Sequence, residues 1–380
     1  MESPRLQIRE ERPQRILVTR TDRLGDLVLS TPVFEALRRR FPDAYLACLA
    51  FLENRPAVEG NPYLNEVILY DKLGNEKGWW GNLLFAWRLR AKRFDTALHL
   101  HPTNRMHLVS WLAGIPIRIG YQKKNSWALT HRLPDKKGEG LKHESEYNFD
   151  LLNFLGIEPP REIKPHFPLW EKERTALGVF LAHLGFPWQE PYAVLNPSAS
   201  CPSKIWPADR FALLADQLQE RHGLQVALIG SKEDRCLAQR VKELASRSLT
   251  DLSGKLSLGS LAWLLARAQL LISNDSGPVH VARAVGTPAI SIFGRNLAGL
   301  SPRRWGPLGE EGRIVHKEVA CPVCLAHRCQ INFLCLDVIS VEDVLKAAEP
   351  FFQHRQNLST SGGRLPDRQA GSADERLKSW

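Results

Sequence analysis

The sequence predicts an α/β protein with two doubly wound parallel sheets, in two domains facing a cleft. Three observations lead there. Short apolar runs bounded by turn residues alternate with longer segments of helical period, as parallel β-α units require. The alternation stops at a proline-rich stretch, residues 159–170, and then restarts. The length of 380 residues also suits two domains, at roughly 100–200 residues each.

Each element has its own signal. Strands are expected at 15–20 (RILVTR), 45–51, 67–70 and 96–100, because strands buried on both faces read as unbroken apolar runs. Helices are expected at 27–41, 81–92 and 106–112, followed by a short strand at 118–121. The linker contains EIKPHFPLW, whose prolines cannot sustain a helix. After it come strands at 192–196, 225–230, 270–273 and 289–293, interleaved with helices at 208–221, 234–245, 258–266 and 279–285. A last helix at 340–352 opens on a serine cap with acids in its first turn. Residues 354–380 are rich in Ser, Gly, Arg and Gln with almost nothing to bury, which predicts a disordered tail. The domains are therefore 15–160 and 161–353.

Composition narrows the class. Hydrophobic residues at 43% and charged residues at 24% are ordinary globular usage, which excludes a fibrous repeat or wholesale disorder. No run is apolar for the roughly 18–20 residues of a membrane span; the best, 261–272, is short and carries Arg267. The leader MESPRLQIREERPQR lacks the apolar core of a secretory signal, so a cytoplasmic location is expected. Seven cysteines then read as free thiols better than as a disulfide framework. Four of them, Cys321, Cys324, Cys329 and Cys335, have the spacing of a four-thiolate zinc site, and metal and free thiol both stay open. The net charge is +10, and residues 1–170 hold 26 basic against 20 acidic side chains. That excess points to an anionic partner: nucleic acid, a phosphorylated substrate or an acidic membrane surface.

Three loops carry chemistry. In TRTDRLGDLVLSTP, residues 19–32, Gly25 permits a tight turn and Asp26 stands near a helix start, either as a cap or as a functional carboxylate. In LLISNDSGPVHVARAVGTPAISIFG, residues 270–294, a strand runs into Asp275, Ser276 and Gly277 and then a helix whose free N–H groups favour a phosphate. His280 lies in that helix's first turn and is either part of the same site or a packed core histidine. In SASCPSKIWPADRF, residues 198–211, Lys204 offers point charge and Ser198 or Ser200 hydroxyls for a diphosphate, against the alternative of a solvated lysine. Trp206-Pro207 would anchor the loop against the next helix.

These segments, in this order and with RIGY at 118–121 and LTDLSGKLSL at 249–258, resemble the family 9 glycosyltransferases, whose best-known members are ADP-heptose:lipopolysaccharide heptosyltransferases. The resemblance spans about residues 15–350. It implies a GT-B architecture of two Rossmann-like domains, the first holding the acceptor and the second the nucleotide-sugar. It places Asp26 as general base, Lys204 as the diphosphate lysine, and Asp275, Ser276, Gly277 and His280 around the donor; Glu233 is a candidate for the ribose. Heptose transfer from ADP-heptose to the lipopolysaccharide inner core is then expected, inverting and without cofactor, by an enzyme peripheral to the cytoplasmic face of the inner membrane. The absence of an Asp-x-Asp motif near these segments predicts metal-independent transfer. Arg118 lies in the RIGY motif, and with Arg23, Arg20, Arg55, Lys123 and Lys124 it could form a surface for the anionic acceptor.

Other readings are weaker. A family 9 enzyme with a different nucleotide-sugar shares every motif quoted. A nucleic-acid binder would match the charge, yet no recognised nucleic-acid motif accompanies it. A dinucleotide-dependent oxidoreductase lacks G-x-G-x-x-G after the first strand of either half. The loop at 74–80 (GNEKGWW) has no place in the resemblance.

Overall fold

The structure is a computed structural model that describes residues 12–295, 297–321, 324 and 329–360. The chain divides into two compact units after Pro168. In the first, the order is β1 (Arg15–Arg20), α1 (Leu24–Val28), α2 (Thr31–Arg40), β2 (Tyr45–Phe51), β3 (Glu66–Tyr70), α3 (Trp79–Ala91), β4 (Thr96–His99), α4 (Asn104–Leu112), β5 (Ile117–Gln122), β6 (His131–Pro134) and α5 (Glu144–Leu152). The six strands form one parallel sheet ordered β3-β2-β1-β4-β5-β6, with Ile16 of β1 level with Leu46 of β2 and Thr96 of β4.

The second unit repeats the plan. It runs α6 (Glu171–His183), β7 (Tyr192–Asn196), α7 (Ala208–His222), β8 (Gln225–Leu228), α8 (Arg235–Leu244), β9 (Thr250–Asp251), α9 (Leu258–Arg267), β10 (Leu270–Asn274), α10 (Gly277–Ala284), β11 (Ala289–Phe293), α11 (Pro302–Trp305), β12 (Gly312–His316), α12 (Leu334–Asp337) and α13 (Val341–Thr360). Its parallel sheet is ordered β12-β11-β10-β7-β8-β9. Numbered within each unit, both sheets follow 3-2-1-4-5-6, the doubly wound order in which connections leave the first strand in both directions. The reversal falls between β1 and β4, and again between β7 and β10, and ligands bind beyond the carboxyl ends of such strands.

The expected strand cores are present, and three further strands appear at positions with weak sequence signals. β6 (HRLP) ends on a proline, β9 is two residues long, and β12 (GRIVH) is largely exposed, so none reads as an apolar run. The single helix expected at 27–41 is two helices. Pro32 sits in the first turn of α2, where it has no N–H to offer an earlier carbonyl. The Val28 carbonyl, four residues before Pro32, instead accepts the Thr31 hydroxyl at 2.8 Å, and Asn148 of α5 donates to the Leu29 carbonyl at 3.4 Å. The break leaves Asp26 on a one-turn helix of its own. At the other end α13 continues to Thr360, past the expected residue 352, and residues 361–380 lie outside the described residues.

Trp206 organises the core of the second unit. It is fully buried, meets Phe211 of α7 edge to face at 5.0 Å, and donates its indole N–H to the Ile339 carbonyl at 3.0 Å, just before α13. α13 itself is capped by a reciprocal pair: Ser340 N–H to the Asp343 carboxylate at 2.7 Å, and Asp343 N–H back to the Ser340 hydroxyl at 3.2 Å. The anchoring expected of Trp206-Pro207 therefore reaches both α7 and the start of α13.

Trp206→Ala should lower unfolding free energy by about 3–5 kcal/mol, from lost burial, the cavity and the orphaned Ile339 carbonyl. Urea denaturation checks this, and a loss below about 1 kcal/mol would show that the site collapses without cost.

Candidate active site

In the first unit a buried arginine builds the site. Arg20, the last residue of β1, is 1% exposed, and an isolated guanidinium there would be severely destabilising. It is saturated instead. Nε donates to Asp22 at 2.8 Å and Nη2 to Asp26 Oδ1 at 2.7 Å; both Nη atoms reach Glu144 Oε1 at 3.1 Å, and Nη1 also meets Asn148 Oδ1 and the Leu100 carbonyl. Lys137 donates to the same Glu144 oxygen at 2.7 Å while its ammonium lies 4.7 Å from the centre of the Tyr121 ring. The partners come from the β1–α1 loop, α1, the end of β4 and α5, so several chain segments must close around one side chain.

The cluster has three carboxylates, Asp22, Asp26 and Glu144, for two cations, Arg20 and Lys137. That surplus falls on Asp26 of α1, with 13% of its side chain exposed. Burial, then repulsion from Asp22 and Glu144, push its carboxyl up to about 6 against the attraction of Arg20. A carboxylate of raised proton affinity at the end of the first strand of a doubly wound sheet suits general-base work near neutrality. Asp26 does not act as the helix cap: Arg23 occupies that position and no side chain bonds there. His101, just beyond β4, lies 3.8 Å from Asp22, and burial followed by the nearby Arg20 lowers it to about 4, so it is neutral at pH 7.

In the second unit the site forms at the matching position, between the ends of β7 and β10. Asn196 at the end of β7 bridges the two strands, donating to Ser273 Oγ at 3.0 Å and Ser276 Oγ at 2.7 Å while accepting from Ser198 Oγ at 2.8 Å. Lys204 reaches across to Asp275, 2.6 Å from Oδ2 and 3.2 Å from its carbonyl oxygen. Arg295, two residues after β11, binds the same Asp275 oxygen at 3.2 Å. Two cations therefore share one carboxylate in nearly dry surroundings, with side chains 14%, 6% and 9% exposed. The remaining positive charge lies beside Ser276, the extended N-cap of α10, and Gly277, its first residue, where the helix dipole also favours an anion.

The other expected residues fall at varying distances from these two centres. His280 is buried in the first turn of α10, Ser200 is exposed in the β7–α7 loop, and Glu233 is exposed beyond β8, held below the usual carboxylate range by a hydrogen bond from Ser231. Arg23 is exposed beside α1. Arg20 lies beneath the site and not on a receiving surface. Arg118 sits near the entry end of β5, level with Ala97 of β4 and away from the strand ends, and its guanidinium donates to the Ile115, Pro116 and Ala128 carbonyls. That arrangement braces a loop. Arg55 pairs with Glu59, and Lys123 lies 4.0 Å from Asp135. The residues missed by sequence reading are Asp22, Glu144, Asn148, Lys137, His101, Asn196 and Arg295; a basic residue two positions after an apolar strand was the available signal for Arg295.

The cysteine segment is described only at Cys321, Cys324 and from Cys329 onward; residues 322–323 and 325–328 lie outside the described residues. Cys335 is buried, and burial and the neighbouring Cys329, Cys321 and Cys324 raise its thiol. Among the described residues no three His, Cys, Asp or Glu side chains are grouped to hold a metal ion.

Two outcomes follow for Asp26. The acid limb of kcat/KM should have an apparent pKa near 6, because the base must be ionised. Asp26→Asn should cut kcat by about 100- to 10,000-fold with no loss of thermal stability at pH 7. The sign is fixed by the raised pKa: between the unfolded value near 4 and the folded value near 6, ionising Asp26 costs stability as pH rises, and Asn removes that cost. A variant with near-normal turnover, or a steep fall in melting temperature, would make Asp26 a structural carboxylate.

Known proteins share this chain's sequence pattern and fold. A sequence model of glycosyltransferase family 9 (heptosyltransferase) matches residues 83–334, about two thirds of the chain. The chain is 29% identical over 350 residues to lipopolysaccharide heptosyltransferase 3 of Escherichia coli K12, covering 86% of this chain and 94% of that protein. Its fold is similar to the crystal structure of a family 9 glycosyl transferase from Veillonella parvula, with a TM-score of 0.81, 28% identity and coverage of 90% and 98%. It is also similar to that of the E. coli ADP-heptose lipopolysaccharide heptosyltransferase II, with a TM-score of 0.74, 24% identity and coverage of 90% and 100%. With two doubly wound sheets, each ending in a polar centre at the point where its strand order reverses, the chain belongs to glycosyltransferase family 9.

Proposed function

We propose that the protein transfers heptose from ADP-heptose to a hydroxyl of the lipopolysaccharide inner core, with inversion and without a metal ion. The observation that carries this reading is the Lys204–Asp275–Arg295 group at the start of α10, two cations on one carboxylate in a nearly dry site. It is suited to a leaving nucleoside diphosphate, on which charge builds as the anomeric carbon becomes oxocarbenium-like. Cations and helix N–H groups placed there stabilise the transition state more than the ground state. Ser198, Ser200, Ser276, Gly277 and His280 complete the donor side, with Glu233 toward the ribose.

In the first unit Asp26 takes the proton of the acceptor hydroxyl as that oxygen attacks C1 from the face opposite the diphosphate. The bond to the leaving oxygen breaks, and the anomeric configuration inverts. Arg20 keeps Asp26 in place, and Arg23 is the neighbouring exposed cation for the anionic acceptor. The basic surplus of residues 1–170 fits a phosphorylated glycolipid at the cytoplasmic face of the inner membrane. No helix among the described residues is long and apolar enough to cross a membrane, and peripheral attachment is the arrangement proposed.

The test is ADP release from ADP-heptose with a delipidated core acceptor, compared with UDP- and GDP-sugars. Turnover should require ADP-heptose and persist in excess EDTA. Lys204→Ala should weaken ADP binding about 10- to 100-fold, the loss of one charge-assisted hydrogen bond. No turnover of ADP-heptose on any core acceptor sinks the reading, and loss of turnover in EDTA that added metal restores sinks its metal independence.

A further inference from the structure

The helix α3 is apolar on both sides, although one side faces solvent. Inward it buries Phe85, Ala86 and Leu89 in the core beside the sheet. Outward it exposes Trp79, Trp80, Leu83, Leu84 and Trp87, with the three tryptophans 65%, 63% and 73% accessible. At 100° per residue these five side chains share one outer arc, with Trp87 near its middle and Arg90 and Arg88 toward its two margins. An indole carries roughly 150–250 Å², so the tryptophans alone expose about 300–500 Å², as much as the largest apolar patch on an ordinary monomer, about 300–600 Å².

This face is held rigidly. Gly78, with φ +89°, turns the chain into α3. Asn82 donates to the Glu76 carbonyl at 3.1 Å and accepts from Tyr70 Oη at 2.6 Å, and Trp79 stacks on Trp80 at 3.7 Å. A Cβ on Gly81 would fall 2.4 Å from the Asn75 carbonyl oxygen, so the GNEKGWW loop closes tightly on the helix. The surroundings are basic: residues 71–93 hold six basic and two acidic side chains, and Glu76, one of those acids, is buried against Arg88. Lys77, Arg90 and Arg93 are exposed. Finally, Lys72 in the loop before α3 donates to the Thr21 carbonyl at 3.0 Å, which ties this segment to the β1–α1 loop that carries Asp22 and leads to Asp26.

We infer that the outer face of α3 docks on an anionic phospholipid bilayer, its indoles and leucines at the headgroup–acyl boundary and its flanking arginines and lysines on lipid phosphates. The argument is charge complementarity together with amphipathic chemistry. Tryptophan favours membrane interfaces, long cationic side chains extend from an apolar margin to the headgroups, and an interfacial helix pairs such an apolar face with basic residues. Such a face would bring the Asp26 loop to a lipid-borne acceptor. The inference rests on the lipid-linked acceptor of the proposed function.

The full chain is tested by flotation with vesicles of phosphatidylethanolamine and phosphatidylglycerol, and of phosphatidylcholine alone. The protein should float with the anionic vesicles and far less with the zwitterionic ones. The double variant Trp80→Ser, Trp87→Ser replaces exposed side chains only; it should bind at least tenfold less while transferring to a water-soluble acceptor at the unmodified rate and melting at the same temperature. Equal flotation of variant and parent overturns the inference. So does a dimer in sedimentation that the variant loses, which would make the face an interface between copies. A chain that floats through these tryptophans but transfers to no acceptor would support this surface and overturn the proposed reaction, so the two failures are distinct.

Discussion

Taking the Arg20 guanidinium out of water is the constraint on which the first unit depends. A buried guanidinium needs acceptors for all five of its donors, and no single element of a parallel sheet can supply them. The chain meets this by converging its ends: the β1–α1 loop gives Asp22, α1 gives Asp26, the end of β4 gives the Leu100 carbonyl, and α5 gives Glu144 and Asn148. The α1–α2 break belongs to the same solution, since Asn148 also holds the Leu29 carbonyl at that break. Lysine could not replace this residue, having three donors on a point charge where a planar fork is required.

The two polar centres are built on one topology with opposite charge balance. In the first unit carboxylates outnumber cations three to two, and the surplus appears as proton affinity at Asp26. In the second, cations outnumber the carboxylate two to one, and the surplus appears as a field for anions beside the start of α10. The two halves of the proposed reaction, accepting a proton and stabilising a departing diphosphate, need these opposite balances, and a low local dielectric amplifies each.

Much of this was legible in sequence, for physical reasons. Central parallel strands must be apolar on both faces, so RILVTR and YLACLAF announce themselves. Strands such as HRLP and the two-residue β9 have no such requirement and leave no pattern. Asp26, Lys204 and Asp275 could be singled out because each lies in a sequence segment with turn or helix-start chemistry. Their partners could not: Glu144 and Asn148 meet Arg20 across 124 and 128 residues, and nothing local distinguishes them. Arg20 itself looks like a surface cation in the sequence, because residue type does not reveal that five acceptors converge on it. The tryptophans of α3 were visible but had no assignment until the structure showed which side of the helix they occupy.

The indole of Trp206 has a consequence beyond packing. Its ring is fixed to the Ile339 carbonyl, and its backbone N–H is fixed to Asn274 Oδ1 at 3.1 Å, two residues after Lys204. The loop that carries Lys204, the proposed diphosphate ligand, and the entry to α13 are thus joined through one side chain. Opening of either is coupled to the other, and by reciprocity a nucleotide that orders the loop must also slow hydrogen exchange at the amides around residue 339, far along the chain from any group it touches.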